Sequence, residues 1–157
     1  MKKVIHFFSF VSRLGWLPAN FSPLGSVGFF SKTPWLYFLS IIVFDLWVGG
    51  FYLGFWWTYL GFAAYPLFGY LSRNQPKLRV VFLPLASFCF FLLSNFGSFW
   101  YWYPHTLSGL LLCYTVALPF YARTLAGDLF FGYGWLLVSN NAILSKFFPR
   151  IQIVKIL

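Results

Sequence analysis

The chain has 157 residues, 61% of them hydrophobic and 8% charged, where a soluble domain carries roughly 25% charged residues. Its eleven Lys and Arg stand against two acids, Asp45 and Asp128, for a formal charge of +9. No water-soluble fold hides that much apolar surface, and the cations punctuate hydrophobic runs instead of forming a basic stripe, which argues for a membrane protein and against nucleic-acid binding.

A membrane crossing takes about 17 to 25 apolar residues, so five or six crossings use most of the chain and leave one integral membrane domain, residues 1–157. The expected fold is all-α: a polytopic transmembrane helical bundle of five to six segments with a broken or re-entrant N-terminal segment. Helices are expected because irregular backbone facing lipid leaves peptide groups unpaired.

The first hydrophobic piece, Val4 to Trp16, is interrupted by His6 and Arg13 and reads as interfacial as readily as crossing. Its charged start resembles a signal peptide, but no small-residue cleavage site follows, so it reads as retained. After a break at Asn20-Phe21-Ser22-Pro23, the run from Leu24 to Phe30 is too short to span and reads as half of a broken helix. Firm spans follow from Pro34 to Val48, Phe55 to Leu71 and Val80 to Phe96, with Ser72 to Arg79 as an extramembrane loop. An aromatic connection from Ser98 to His105 leads to a span from Thr106 to Phe120. Arg123-Thr124 reads as a break, and a last helix as running from Leu125 to Phe148 before a basic tail.

Cations bear on orientation. If every piece crosses, the side holding Lys32, Arg73, Lys77, Arg79 and Arg123 has five and the termini have six. If the N-terminal pieces stay on one side, the count is eight against three. The second arrangement puts the Arg73 to Arg79 loop in the cytoplasm.

Six residues are candidates for a ligand site: Asp45, Asn95, Trp100, Tyr103, His105 and Asp128. A carboxylate in a bilayer is costly and should face protein or a water-filled cavity. Asp45 falls near a helix C-terminus, where the dipole disfavours it, and is expected to find an ion pair or the amides of Gly49-Gly50. Asp128 is explicable as a residue in the second turn of a helix capped by Thr124, with Gly127 letting a backbone or ligand approach. On this reading Asp45→Asn damages folding or binding more than Asp128→Asn does. Asn95, Trp100, Tyr103 and His105 stand at helix ends, as interface anchors or as the roof of a pocket with aromatic walls. Gly50-x-x-x-Gly54 fits a helix-packing motif but falls where a turn needs glycine. The usual catalytic motifs are missing, so no enzyme, cofactor or metal is expected.

The ordered string Asn20-Phe21-Ser22-Pro23, Ser40 to Gly50, Asn95-Phe96-Gly97, Tyr103-Pro104-x-Thr106-x-x-Gly109-Leu110, Cys113-Tyr114, Ala117-x-Pro119-Phe120 and Thr124-Leu125-x-Gly127-Asp128-Leu129 resembles an uncharacterised bacterial membrane family. That family is itself similar to substrate-binding S components of energy-coupling-factor vitamin transporters. The resemblance implies a small helical bundle in the bacterial inner membrane that captures a vitamin-like molecule or precursor without catalysis. It also implies docking on a transmembrane coupling subunit driven by two ATPases, through a small-residue stripe approximated here by Ser22, Gly25 and Ser26. The alternative is a structural accessory subunit of a respiratory or photosynthetic complex, contacting lipid, quinone or pigment through its 26% aromatic residues.

Overall fold

The computed structural model describes Ser12 and residues 17–139. Within these the chain is all-α, with five helices: α1 (Leu24–Phe30), α2 (Pro34–Val48), α3 (Phe55–Leu71), α4 (Pro76–Trp102) and α5 (Leu107–Ser139). Apart from Ser12, the expected N-terminal piece lies outside the described residues, as do the end of the last helix and the basic tail.

The bounds of α1, α2 and α3 are those read from the sequence. At one junction Gly49, Gly50 and Gly54 all have positive φ, and a Cβ on Gly54 would lie 2.5 Å from the Tyr101 ring. Glycine there serves a turn that also packs under α4.

Three boundaries differ. α4 begins at Pro76, about one turn before the expected Val80, since proline at the first helical position needs no N–H partner, and the loop shortens to residues 72–75. α4 runs on through Asn95-Phe96-Gly97 to Trp102, because the Asn95 amide donates to the Phe91 carbonyl and Gly97 lies against Trp57, so neither residue ends the helix. α5 is one helix of 33 residues, passing unbroken through Arg123-Thr124. The Thr124 hydroxyl donates to the Phe120 carbonyl and Arg123 points outward, so Thr124 caps nothing. At 1.5 Å per residue α4 and α5 are about 40 and 50 Å long. Both are long and apolar enough to cross a membrane.

Helices α2 to α5 run alternately up and down. Phe96 packs on Trp57 and Phe82 on Phe68, which sets α3 antiparallel to α4. Tyr114 donates to the Leu92 carbonyl and Tyr133 to that of Val80, which does the same for α4 and α5. One end of the bundle therefore gathers Lys32, Arg73, Lys77 and Arg79. Among the described residues the other end, the turns at 49–54 and 103–106, has no Lys or Arg.

The short helix α1 lies inside this bundle, with Leu24 to Phe29 all buried. Its Leu24 and Phe29 join Tyr37, Ile41, Phe62, Tyr65, Leu83 and Ala86 in the core. Contact with α3 is made backbone to backbone: a Cβ on Gly69 would fall 1.8 Å from the Phe29 carbonyl oxygen. The outer surface is apolar instead, with Leu107, Phe130 and Trp102 each at least 67% exposed.

Candidate functional site

Asp128 lies in the second half of α5 and is 1% exposed. Tyr65, from α3, donates its hydroxyl to Asp128 Oδ2 at 2.6 Å. The first turn of α1 packs on the same carboxylate at Gly25, and the buried Ser87 hydroxyl of α4 faces the pair. The N-cap position of α1 is Pro23, which has no side-chain acceptor. A carboxylate from another helix thus lies at the first turn of α1, where the helix dipole favours negative charge.

Residue 25 must be glycine for this to happen. A Cβ there would come within 2.2 Å of Asp128 Oδ1 and 2.4 Å of the Tyr65 ring. Next along α5, a Cβ on Gly127 would lie 2.9 Å from the Ser22 nitrogen, so the close neighbour of Gly127 is the chain leading into α1. Asp128 is therefore not a helix-start residue. It ties α1, α3 and α5 together from mid-helix.

Two clefts open beside it. The first, of about 400 Å³, is walled by Phe62, Tyr65 and Phe90, with Asn20, Thr124 and Asp128 as polar members. The second, of about 330 Å³, lies between α4 and α5 and includes Ser94, Asn95 and Tyr121. They share Asn20, Phe90 and Thr124, and so adjoin. Asn20 holds a left-handed conformation, φ 66°, a region where Asn is enriched.

Of the six sequence candidates, Asp128 and Asn95 line these clefts, and the other four do not. Asp45 is half-buried near the 49–54 turn and accepts a hydrogen bond from the Tyr59 hydroxyl at 2.8 Å. The Gly49 and Gly50 amides do reach residue 45, but they bond its main-chain carbonyl, not its carboxylate. Trp100 and His105 form a local cluster at the α4–α5 turn. Their rings stack at 4.9 Å and His105 Nε2 is 2.8 Å from the Trp100 carbonyl oxygen. Tyr103 is half-buried at the same turn.

Sequence reasoning passed over Tyr65, Phe90 and, as a cleft residue, Thr124. Tyr65 is one of ten tyrosines and Phe90 one of 23 phenylalanines, with no local signal to single them out. Asn20 was visible as a polar residue in the motif Asn20-Phe21-Ser22-Pro23, ahead of a broken helix.

These cleft residues fall inside a stretch, residues 2–151, that matches the model of a family of unknown function, DUF6580. The chain belongs to DUF6580. The expected family without an assigned activity is met by this membership, which carries no link to transporter S components. Searches of curated proteins and of solved structures return no match.

Proposed function

We propose that this DUF6580 protein is an integral membrane protein that captures a small molecule between α1, α3, α4 and α5 and performs no chemistry on it. The observation that carries the reading is the pair of adjoining clefts around Asn20, Phe90 and Thr124. Their volumes fall in the range of small-molecule sites, and aromatic walls with a few fixed polar groups are the usual composition of such sites.

Membrane placement is supported by the lie of the two long helices. Only 28% of the most apolar stretch of α4 and 17% of that of α5 is buried within the protein, whereas a core helix of a soluble protein is mostly buried. Lipid is the solvent that covers the remainder at no cost. Among the described residues, a cationic end and an end without cations support an orientation with Lys32, Arg73, Lys77 and Arg79 in the cytoplasm. A bacterial inner membrane fits that arrangement.

An importer of the energy-coupling-factor type remains the leading context, with transport supplied by a coupling subunit and ATPases. Gly25 and Ser26 are buried against α3 and α5, so such a partner would meet a different face from the small-residue stripe. The accessory-subunit reading rests on the exposed aromatic surface, which lipid alone satisfies equally well.

Mass spectrometry of protein purified from its native membranes tests capture. A small molecule should co-purify with the wild type and be lost on Phe90→Trp, which fills the wall shared by both clefts. Co-purification of a large complex with empty clefts would favour the accessory role instead.

A further inference from the structure

We propose that the outer face of α5 around Arg123 is the docking surface for a transmembrane helix of a different protein, one that brings a carboxylate to the guanidinium. This rests on the membrane placement above and is independent of what the clefts hold.

Arg123 stands in the middle of α5, exposed, with no hydrogen bond or ion pair among the described residues. The bond from Tyr133 to the Val80 carbonyl sets residue 133 close to the level of Lys77 and Arg79, at the cationic end. From residue 133 to residue 123 the helix descends about 15 Å, which puts the arginine deep in a hydrocarbon layer roughly 30 Å thick. Snorkelling relieves it poorly. Side chains on a helix lean toward its N-terminus, and that of α5 is the far end, at Leu107, so the guanidinium is aimed away from the nearer surface.

A charge at that depth is costly on a lipid face and is met by a partner. The 157 residues hold two acids. Asp128 is 1% exposed and bonded to Tyr65, and Asp45 sits beside the turn at 49–54 with Tyr59 as a donor, so neither answers Arg123. A second copy brings the same two acids in the same places. Lipid phosphates lie in the headgroup region, outside the layer in which Arg123 is placed. A helix crossing the membrane is the element that carries a carboxylate to this depth.

Two further features share the face. Pro119, one turn before Arg123, has no N–H to give the carbonyl of Thr115, and no described side chain gives one, whereas the corresponding carbonyl of Val80 in α4 receives the Tyr133 hydroxyl. Carbonyls freed by proline in membrane helices are answered by neighbouring helices. Thr115, Pro119, Ala122 and Ala126 are all exposed, spaced four, three and four residues apart, and so form one seam flanked by Arg123 and turned away from Tyr121, Thr124 and Asp128. Compact residues along a seam let a second helix come close.

The test is photo-crosslinking in native membranes, with p-benzoylphenylalanine placed at Ala126 of the full chain and, as a control on another helix, at the exposed Leu67 of α3. Mass spectrometry of the crosslinked peptides should find, at position 126 and not at 67, an apolar segment of another protein that contains Asp or Glu. Arg123→Leu, which suits lipid and leaves the core untouched, should lower the yield of that adduct about tenfold or more. Exchanging the charges, Arg123→Asp with the partner's acid changed to arginine, should restore it. Adducts with a second copy or with lipid alone overturn the inference, as do a partner segment without an acid, a yield indifferent to Arg123→Leu, and an exchange that restores nothing. Washing the membranes with alkaline carbonate separates this inference from the placement beneath it. A chain that stays in the pellet without an acidic neighbour sinks docking alone, and a chain released into the supernatant sinks membrane placement with it.

Discussion

Tyr65 and Asp128 stand 63 positions apart in sequence and are joined by a 2.6 Å hydrogen bond in the buried centre of the bundle. Through it α3 and α5 hold the first turn of α1, whose Gly25 packs on the pair. Losing the Tyr65 hydroxyl leaves a buried acceptor short of a donor, which costs about 1–3 kcal/mol. Tyr65→Phe is therefore expected to lower the melting temperature in detergent. The double variant with Asp128→Asn should cost less than the sum of the two single changes, since both break one bond. Additive losses would mean that the two residues act independently.

The same burial reverses the ranking of the two acids that the sequence suggests. Asp128 is 1% exposed, accepts from the Tyr65 hydroxyl and packs on the first turn of α1, whereas Asp45 is half-buried beside a turn with Tyr59 as its hydroxyl donor. Asp128→Asn should destabilise the protein more than Asp45→Asn. Size-exclusion recovery of each variant after graded heating gives the comparison, and equal recovery would count against the assigned role of Asp128.

Which parts of this were legible in the sequence follows from how each signal is written. The bounds of α2 and α3 are marked by Thr33-Pro34 and by the glycines at 49, 50 and 54, residues whose backbone demands are local. The continuity of α5 is not written locally. Arg123 and Thr124 look like a stop, but the Thr124 hydroxyl bonds back to Phe120 and the arginine faces outward, so the helix continues. Asp128 was visible as one of two acids, but its partners were not. Nothing around Tyr65 distinguishes it from nine other tyrosines until α3 packs against α5.

Glycines inside the bundle separate close approach from tolerance. A Cβ at Gly69 would overlap the Phe29 carbonyl oxygen at 1.8 Å, and one at Gly25 would overlap the Asp128–Tyr65 pair, in both cases against atoms that packing holds in place. A Cβ at Gly134, also in a helix, meets nothing within 4 Å. Gly69→Ala and Gly25→Ala should each destabilise by about 1–3 kcal/mol or more through overpacking. Gly134→Ala should be neutral or stabilise by up to about 1 kcal/mol, since alanine is the better helix former. Unfolding midpoints for the three variants, measured side by side, distinguish a packed α1–α3 contact from a loose one.

The hydrogen bond from Tyr133 to the Val80 carbonyl, 2.8 Å long, has its cause four residues further along α4. Residue 84 is a proline inside the helix, so it has no N–H to offer the carbonyl of residue 80. A neighbouring helix supplies the donor that the proline withholds. Tyr133 does so from α5 and thereby fixes the register of the two long helices. Tyr133→Phe should cost about 1–3 kcal/mol in the wild type, where it leaves the carbonyl unpaired. In a Pro84→Ala background the alanine N–H takes over the bond, and the same Tyr133→Phe change should cost a few tenths of a kcal/mol at most. A double-mutant cycle on unfolding free energy measures the difference, and equal costs in the two backgrounds would show that Tyr133 is not compensating for the proline.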